Sequence, residues 1–595
     1  MNKSEKLIVF VLGVILAGWV WHSVSEQKKV AEAQAQQAAK AKNTEVVKDL
    51  KDHTDLKDSK DDKGIKDLKA PQDLKAEQPM APRAPEQLVA LANGQVELTF
   101  SSRGAAIVKA KMLQYAERPG AIADDNPPVA FDLSARPALA LDGVQGLAAD
   151  ADYAVMEQTA ETVVFSNAFV RRSVTLKPDY KIEVSETFAP ECPRDVASSL
   201  SLGAMSLGAS KNDILSIDSW LVADEKGKPR VEHHGDEGVL KSYLAGGMGG
   251  CGGSRDAAGV PPTTSVSVPG ARTWLAVKNR FFVTALVGLT GDAGFSATID
   301  RDMRRQDYAP KSVSAAMMFA SLPETRSYTL YLGPKKQDLL WDLGLKDVME
   351  FGMWRWLCYP MVWVLNLFNS WIPNYGVAII LLTILVRILF WPLTHKSTVG
   401  MRKMQEIQPL MKEIQKKYKD NPQRMQQETW QLYRDHKVNP LSSCLPMLIQ
   451  IPVFIALFNV LRSTVELRYA PFLWIADLSE PEALFASWFP FGGLNILPIL
   501  MAGTMALQSA LTPSSGDAKQ QRMMMVMMPI MMLVMFYNFP SALSLYWTLS
   551  QVFSIVQMWW IRKKYTPAPA AKDGVVVPDA VEMPVTRQMR RHAKG

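Results

Sequence analysis

No aspartate, glutamate or histidine occurs in the long apolar runs at 374–392, 445–461, 494–511, 523–539 and 543–561. That absence removes several classes of chemistry at once. Neither a Ser–His pair nor a two-aspartate centre can be assembled inside these runs, which argues against an intramembrane protease. Carboxylates that could relay protons are missing too, and the apolar halves show no evident inverted repeat. Both points weigh against the main competing class, a multi-pass transporter with an exported binding domain. Cysteine is scarce: Cys192, Cys251, Cys358 and Cys444 are the only four in 595 residues, and they fit no metal-site spacing. Cys192 and Cys251 could pair if their region is exported, but spacing does not decide it. His233-His234 lacks a ligand set nearby in the chain, and the Gly246–Gly253 cluster lacks the Lys-Ser/Thr of a phosphate loop. No catalytic centre, metal or cofactor is expected.

What is present centres on Asn374–Pro392, which spans ~27 Å as a helix, enough to cross a bilayer. It contains one charge, Arg387. An arginine in hydrocarbon costs at least ~2.5–3.5 kcal/mol, and no apolar run offers it an ion-pair partner. One reading is snorkelling, because Arg387 lies only ~7 Å from the inner end of the run. The other is an aqueous groove, open on the inner side, in which the arginine attracts polar or acidic segments.

The rest of the chain is segregated by composition. Lys3 and Lys6 followed by apolar Leu7–Trp21 have the grammar of an export signal. Ser23-Val-Ser25 could serve as a cleavage site, but Trp19 and Trp21 suit the interface end of an uncleaved anchor over residues 1–25. Residues 26–85 repeat Asp-Leu-Lys four times, with too little apolar content for a core, and read as a solvated tether. From 86 to 335 the signals are strand-like. Val96–Phe100, Lys181–Phe188 and Ser327–Leu332 alternate with period two, and Trp274–Val277, Phe281–Val287 and Phe295–Ile299 read as buried strands. These predict a large antiparallel sandwich. Residues 336–373 read as an amphipathic connector and a helix lying on the outer surface. Its interruptions (Arg355, Asn366, Asn369, Ser370) and the positive-inside bias of the next span oppose a crossing there.

Between Lys396 and Lys437 ten basic residues face five acids. Asp420-Asn421-Pro422 breaks this segment into a hairpin. Met404, Ile407, Met411, Ile414 and Tyr418 form one helical stripe before the break, and Met425, Leu432 and Tyr433 follow it. Met404, Met411, Lys416, Lys417 and Met425 are therefore candidates for contact with a client chain or with the ribosome, and the basic charge also suits anionic lipid. DNA is not an expected partner. The four later runs, with the anchor and Asn374–Pro392, predict six spans with both termini in the cytoplasm. Met523–Phe539 carries eight methionines, adaptable side chains suited to irregular apolar partners as well as to lipid. Gln450, Gln508, Gln551 and Gln557 are placed to wet a central cavity or to join helices.

Several motifs in order resemble the YidC family of membrane protein insertases. They are Ile384-Leu-Val-Arg387 with Pro392-Leu-Thr394, Asn439–Phe454, Val465-Glu-Leu-Arg468, Ala470-Pro-Phe472 and Phe539–Tyr546. The resemblance covers about 350–561. The anchor, tether and exported sandwich are similar to the Gram-negative type, whose outer domain is a β-supersandwich. It implies a bacterial inner-membrane protein with a periplasmic domain and a hydrophilic groove open to the cytoplasm, working on nascent membrane proteins alone or with the Sec translocon. It implies that Arg387 is the groove's charge, and that Thr383 and Tyr546 line the substrate path with Gln450 nearby. Trp547 stands where some relatives have a second tyrosine, keeping the aromatic ring without its hydroxyl. The client's apolar segment is then expected to slide along the third and fifth spans.

Overall fold

In the computed structural model of the chain, the described residues are 83 and 85–564, apart from 145–146, 209–212, 225, 236–261, 302–309, 437, 440–444, 486–492 and 512–517. The expected anchor, nearly all of the tether, Cys251, Cys444, the Gly246–Gly253 cluster and the end of the basic tail lie outside the described residues.

Period-two alternation becomes two antiparallel sheets packed face to face, each of nine strands. In hydrogen-bonded order the first runs Leu88–Ala92, Val96–Ser101, Ala106–Ala116, Ala138–Asp142, Ser198–Ser206, Pro310–Phe319, Gly294–Arg301, Thr263–Val268, with Pro128–Asp132 also paired to Ala106–Ala116. The second runs Arg230–Gly235, Ser216–Leu221, Arg272–Lys278, Phe282–Val287, Thr325–Pro334, Lys181–Phe188, Val170–Leu176, Thr162–Ser166, Ala154–Gln158. Inward slots hold residues such as Phe100, Phe165, Phe188 and Phe295, which form the sandwich core. The all-β sandwich expected from the sequence is present.

The helices follow. A short helix, α1 (Gln337–Asp342), leads to α2 (Arg355–Trp371). On α2 the buried residues Cys358, Met361, Val362 and Leu365 recur at helical spacing, while Trp356 and Trp363 face outward. That stripe packs α2 against the next helix, α3 (Tyr375–Glu406), and against α6 (Leu445–Ser463). Gly376 lets the start of α3 approach its neighbour: a Cβ there would lie 2.1 Å from the Phe472 ring. Pro392 does not end α3, although the sequence placed the end of the span there. Proline removes one backbone donor, and the helix continues through it with Thr394 Oγ1 donating to the Phe390 carbonyl at 3.1 Å and Thr398 Oγ1 to the Thr394 carbonyl at 2.8 Å.

A hairpin of α4 (Gln408–Lys417) and α5 (Pro422–Asp435) comes next, capped where the Asn421 side chain accepts from the Arg424 N–H. It has its own small cluster of Met404, Ile407 and Val438, with Leu432 and Tyr433 against it. After α6 come α7 (Ile496–Leu511), α8 (Ala518–Phe536) and α9 (Ser541–Lys564); α9 packs on α7 and α3, and α7 on α8. Among the described residues, Tyr375–Gly400 alone has both the length and the apolarity of a membrane crossing: 26 residues containing an 18-residue stretch of mean hydropathy 2.3. Gln450–Ser463, Ile496–Leu511 and Val526–Phe536 are shorter apolar helices.

Sandwich and helices share one continuous core. Arg280, at a strand turn of the second sheet, donates to the carbonyls of Arg462 at 2.8 Å and Ser479 at 2.7 Å and pairs with the Glu480 carboxylate. In the reverse direction Arg468 donates to the Ala116 carbonyl at 2.9 Å and the Tyr469 hydroxyl to the Glu117 carbonyl at 2.7 Å. Ser541 at the start of α9 donates to the Glu480 carbonyl through N–H and hydroxyl. The segment after α6 is thus clamped between the sandwich and α9.

Candidate functional site

Five helices line a cavity around Arg387 whose wall is mostly apolar and carries a set of polar groups on α3, α6, α7 and α9. On α3, Arg387, Thr394 and Thr398 recur every two turns or one and share a face. On α9, Trp547, Ser550, Ser554 and Gln557 recur at steps of three and four and face them. Gln450, Ile451 and Phe454 of α6 close one side, and Met505, Met528, Met532 and Met558 contribute thioethers. The cavity is about 380 Å³. Its described lining holds hydroxyls, carboxamides, aromatic rings and thioethers but no carboxylate.

The Arg387 guanidinium donates to both the hydroxyl and the main-chain carbonyl of Ser550. The same carbonyl accepts from Ser554 Oγ at 3.0 Å, and Gln557 Nε2 donates to Thr394 Oγ1 at 3.3 Å. Arg387–Ser550 and Thr394–Gln557 are each 163 apart in sequence, so α3 and α9 run parallel in register. Trp547 packs edge-on to Phe454, ring centroids 4.9 Å apart, and its enclosed Nε1 donates to no acceptor among the described residues.

Of the expected groove residues, Arg387, Gln450 and Trp547 line the cavity. Tyr546 is buried behind it and accepts from Gln450 Nε2 at 2.6 Å. Thr383 is a correction: it is fully buried, its hydroxyl donates to the Ile379 carbonyl at 2.7 Å, and it does not line the cavity. Thr383 lies one turn before Arg387 on the same face, but it is covered by its neighbours. The hairpin needs a second correction. Met404 and Met411, expected to take part in pairing the hairpin's apolar faces while still being offered to a client, are only 9% and 5% exposed. The stripe is spent on packing the hairpin against itself and the end of α3, and Met411 Sδ also accepts from the Tyr433 hydroxyl at 3.2 Å. Lys416 and Lys417 are exposed, and Met425 is half-buried.

Sequence reasoning missed Ser550, Ser554, Thr394 and Thr398. The signal was there in the spacing of Ser550, Ser554 and Gln557 along an otherwise apolar helix. It also left His233 without neighbours, whereas the fold sets it 3.2 Å from Asp218 and 3.6 Å from Glu350. The Lys278 ammonium lies between those carboxylates, bonding both and the Val348 carbonyl at 2.8 Å. A lysine already supplies the cation of this cluster.

A helical body with a long apolar helix and an arginine-bearing cavity, joined to a two-sheet β domain, fits the class of α-helical membrane proteins that carry a β-sandwich domain. Residues 367–568 match the family described as 60Kd inner membrane protein, and 259–364 match the YidC periplasmic domain. The curated membrane protein insertase YidC of Geobacter metallireducens is 30% identical over 505 residues, 82% of this chain and 88% of that protein. The chain belongs to the YidC family. The YidC of Syntrophobacter fumaroxidans is 42% identical over 309 residues, 49% of this chain. The chain spans about half the length of that relative, 54%. A crystal structure described as an active YidC insertase with its first transmembrane domain resolved covers 82% of this chain and 94% of its own, at 18% identity and a TM-score of 0.33.

Proposed function

We propose that the chain is a membrane protein insertase. The observation that carries this is a single arginine among uncharged polar groups in a largely apolar cavity between apolar helices, with no carboxylate in the described lining to neutralise it. A polar or acidic segment of a nascent client enters the groove from the cytoplasmic side and is drawn toward Arg387. Its apolar segment moves along α6 and α8, whose outward faces carry Ile451, Met527, Met531 and Val534. Burying a client span at ~25 cal/mol per Å² drives the reaction without a nucleotide. The groove lowers the barrier for the short polar stretch that must cross.

In this reading the chain makes six crossings with both termini cytoplasmic, the groove opens inward, and α2 lies at the outer interface with its tryptophans in the headgroups. Lys416, Lys417 and Met425 on the hairpin meet the ribosome or the emerging client, and the Sec translocon joins for some clients.

Depletion of the protein in cells, followed by complementation, tests this. Wild type and Arg387→Lys restore integration of small single- and double-span proteins with acidic outer segments, whereas Arg387→Ala does not. Integration that never depends on the protein overturns the proposal.

A further inference from the structure

An arginine in a low-dielectric site must satisfy its donors or pay a large desolvation cost. Two solutions exist. A resident carboxylate neutralises the charge and holds it in a buried ion pair, or neutral oxygens accept its hydrogen bonds and leave the charge uncompensated. The groove uses the second solution, and one residue supplies it. Ser550 offers both its hydroxyl and its carbonyl to the guanidinium. Around it the parallel register of α3 and α9 sets further uncharged groups, Ser554, Gln557 and Thr394, on successive turns.

We infer that Ser550 is a positioning residue that holds Arg387 as an uncharged placeholder, so that the groove prefers clients whose crossing segment carries a carboxylate. The inference rests on the insertase reading above. Exchanging a hydroxyl for a carboxylate turns a charge–dipole contact into a charge-assisted pair, which favours the client over the resting state. A carboxylate at 550 would reverse that, since an incoming acid would have to break a buried pair already made. The hydroxyl also fixes where the guanidinium points, toward the polar ladder on α9 and away from the lipid-facing side of α3, where Ile388 and Leu389 are exposed. Specificity thus comes from what the resting site withholds as much as from the arginine.

The test uses the full-length protein in proteoliposomes and two clients differing only in the outer segment, one with aspartates and its twin with asparagines. The readout is the ratio of their initial insertion rates. The wild type prefers the acidic client. S550D lowers that preference roughly tenfold, whereas S550N, equal in size but uncharged, keeps it. Equal ratios for S550D and S550N overturn the proposal, because bulk and not charge then decides. A variant that folds before it is charged guards against misfolding. Ser550→Cys, modified in the purified protein with an anionic thiol reagent, loses the preference, and the neutral reagent preserves it; wild type treated alike controls for native cysteines. Loss of preference with both reagents again overturns the proposal. Failure of the wild type to speed either client above protein-free vesicles removes the insertase reading itself, a result distinct from a changed ratio.

Discussion

Arg172, Glu186 and Arg326 stand directly opposite one another on three adjacent strands, all buried between the sheets. Glu186 pairs with Arg172 at 2.7 Å and with Arg326, and Arg172 also donates to the Gly104 and Ala105 carbonyls of the other sheet. Burial alone would raise the Glu186 carboxyl, but Arg326 and Arg172 outweigh it and hold it below the ordinary range. Glu186→Ala leaves two buried guanidiniums without their anion, and should cost about 3–5 kcal/mol of stability, read by thermal unfolding of the detergent-solubilised chain. A second carboxylate behaves in the opposite way. Glu466, of the Val-Glu-Leu-Arg motif, is partly exposed, but its Oε2 is enclosed and without a partner, and burial raises its pKa from 4.5 to about 7. The folded state therefore holds its proton more tightly than the unfolded state. This contribution to stability is complete below pH 4.5 and is lost as pH rises through about 7. Glu466→Gln should flatten that part of the stability–pH curve and raise the melting temperature at pH 8, relative to wild type. At this scale Arg387 was legible as a lone charge in an apolar run. Its partner was not, because the contact joins residues 163 apart.

Elements were legible where periodicity was strong, and their ends were not. The strands at Val96–Ser101 and Lys181–Phe188 follow their alternation, and even the inward slot of Glu186 obeys it. The hairpin helices follow the stripe and the Asp420-Asn421-Pro422 break. The helix that carries the Asn374–Pro392 span runs on to Glu406, because the missing donor at Pro392 costs one hydrogen bond, which a long helix tolerates. The cluster that joins the hairpin to the end of α3 is separate from the shared core, so the hairpin can open locally. Ile407→Asp should therefore abolish amide protection across α4 and α5 while leaving the strands' protection intact, as read by hydrogen exchange. Loss of protection in both regions would mean that the hairpin is coupled to the shared core.

At the scale of the molecule, one buried side chain connects the sandwich to the helices. Arg280 is almost fully enclosed, and its partners are the Arg462 carbonyl in the last turn of α6 and the Ser479 carbonyl and Glu480 carboxylate of the segment between α6 and α7. Arg280→Ala should weaken docking by about 2–5 kcal/mol. Distance distributions between one spin label in the second sheet and one on α9 should then broaden, while each part keeps its own helical or strand circular-dichroism signal. An unchanged distribution would assign docking to the shared apolar core and to Arg468 and Tyr469 instead.

The class of each segment lay in the chain itself: alternation makes strands, long uncharged runs make apolar helices, and a lone arginine among them marks a polar site. These are local properties, set by spacing and by the cost of moving each side chain out of water. Which residues surround that arginine was decided only by the parallel packing of α3 against α9, which set Ser550 against it, while Thr383 one turn earlier is buried and bonded to its own helix. The hairpin's methionines went inward for the same kind of reason. A short amphipathic helix does not state in its sequence whether its apolar face will meet its neighbour or a visitor, and burial of the nearest available apolar surface settles that choice.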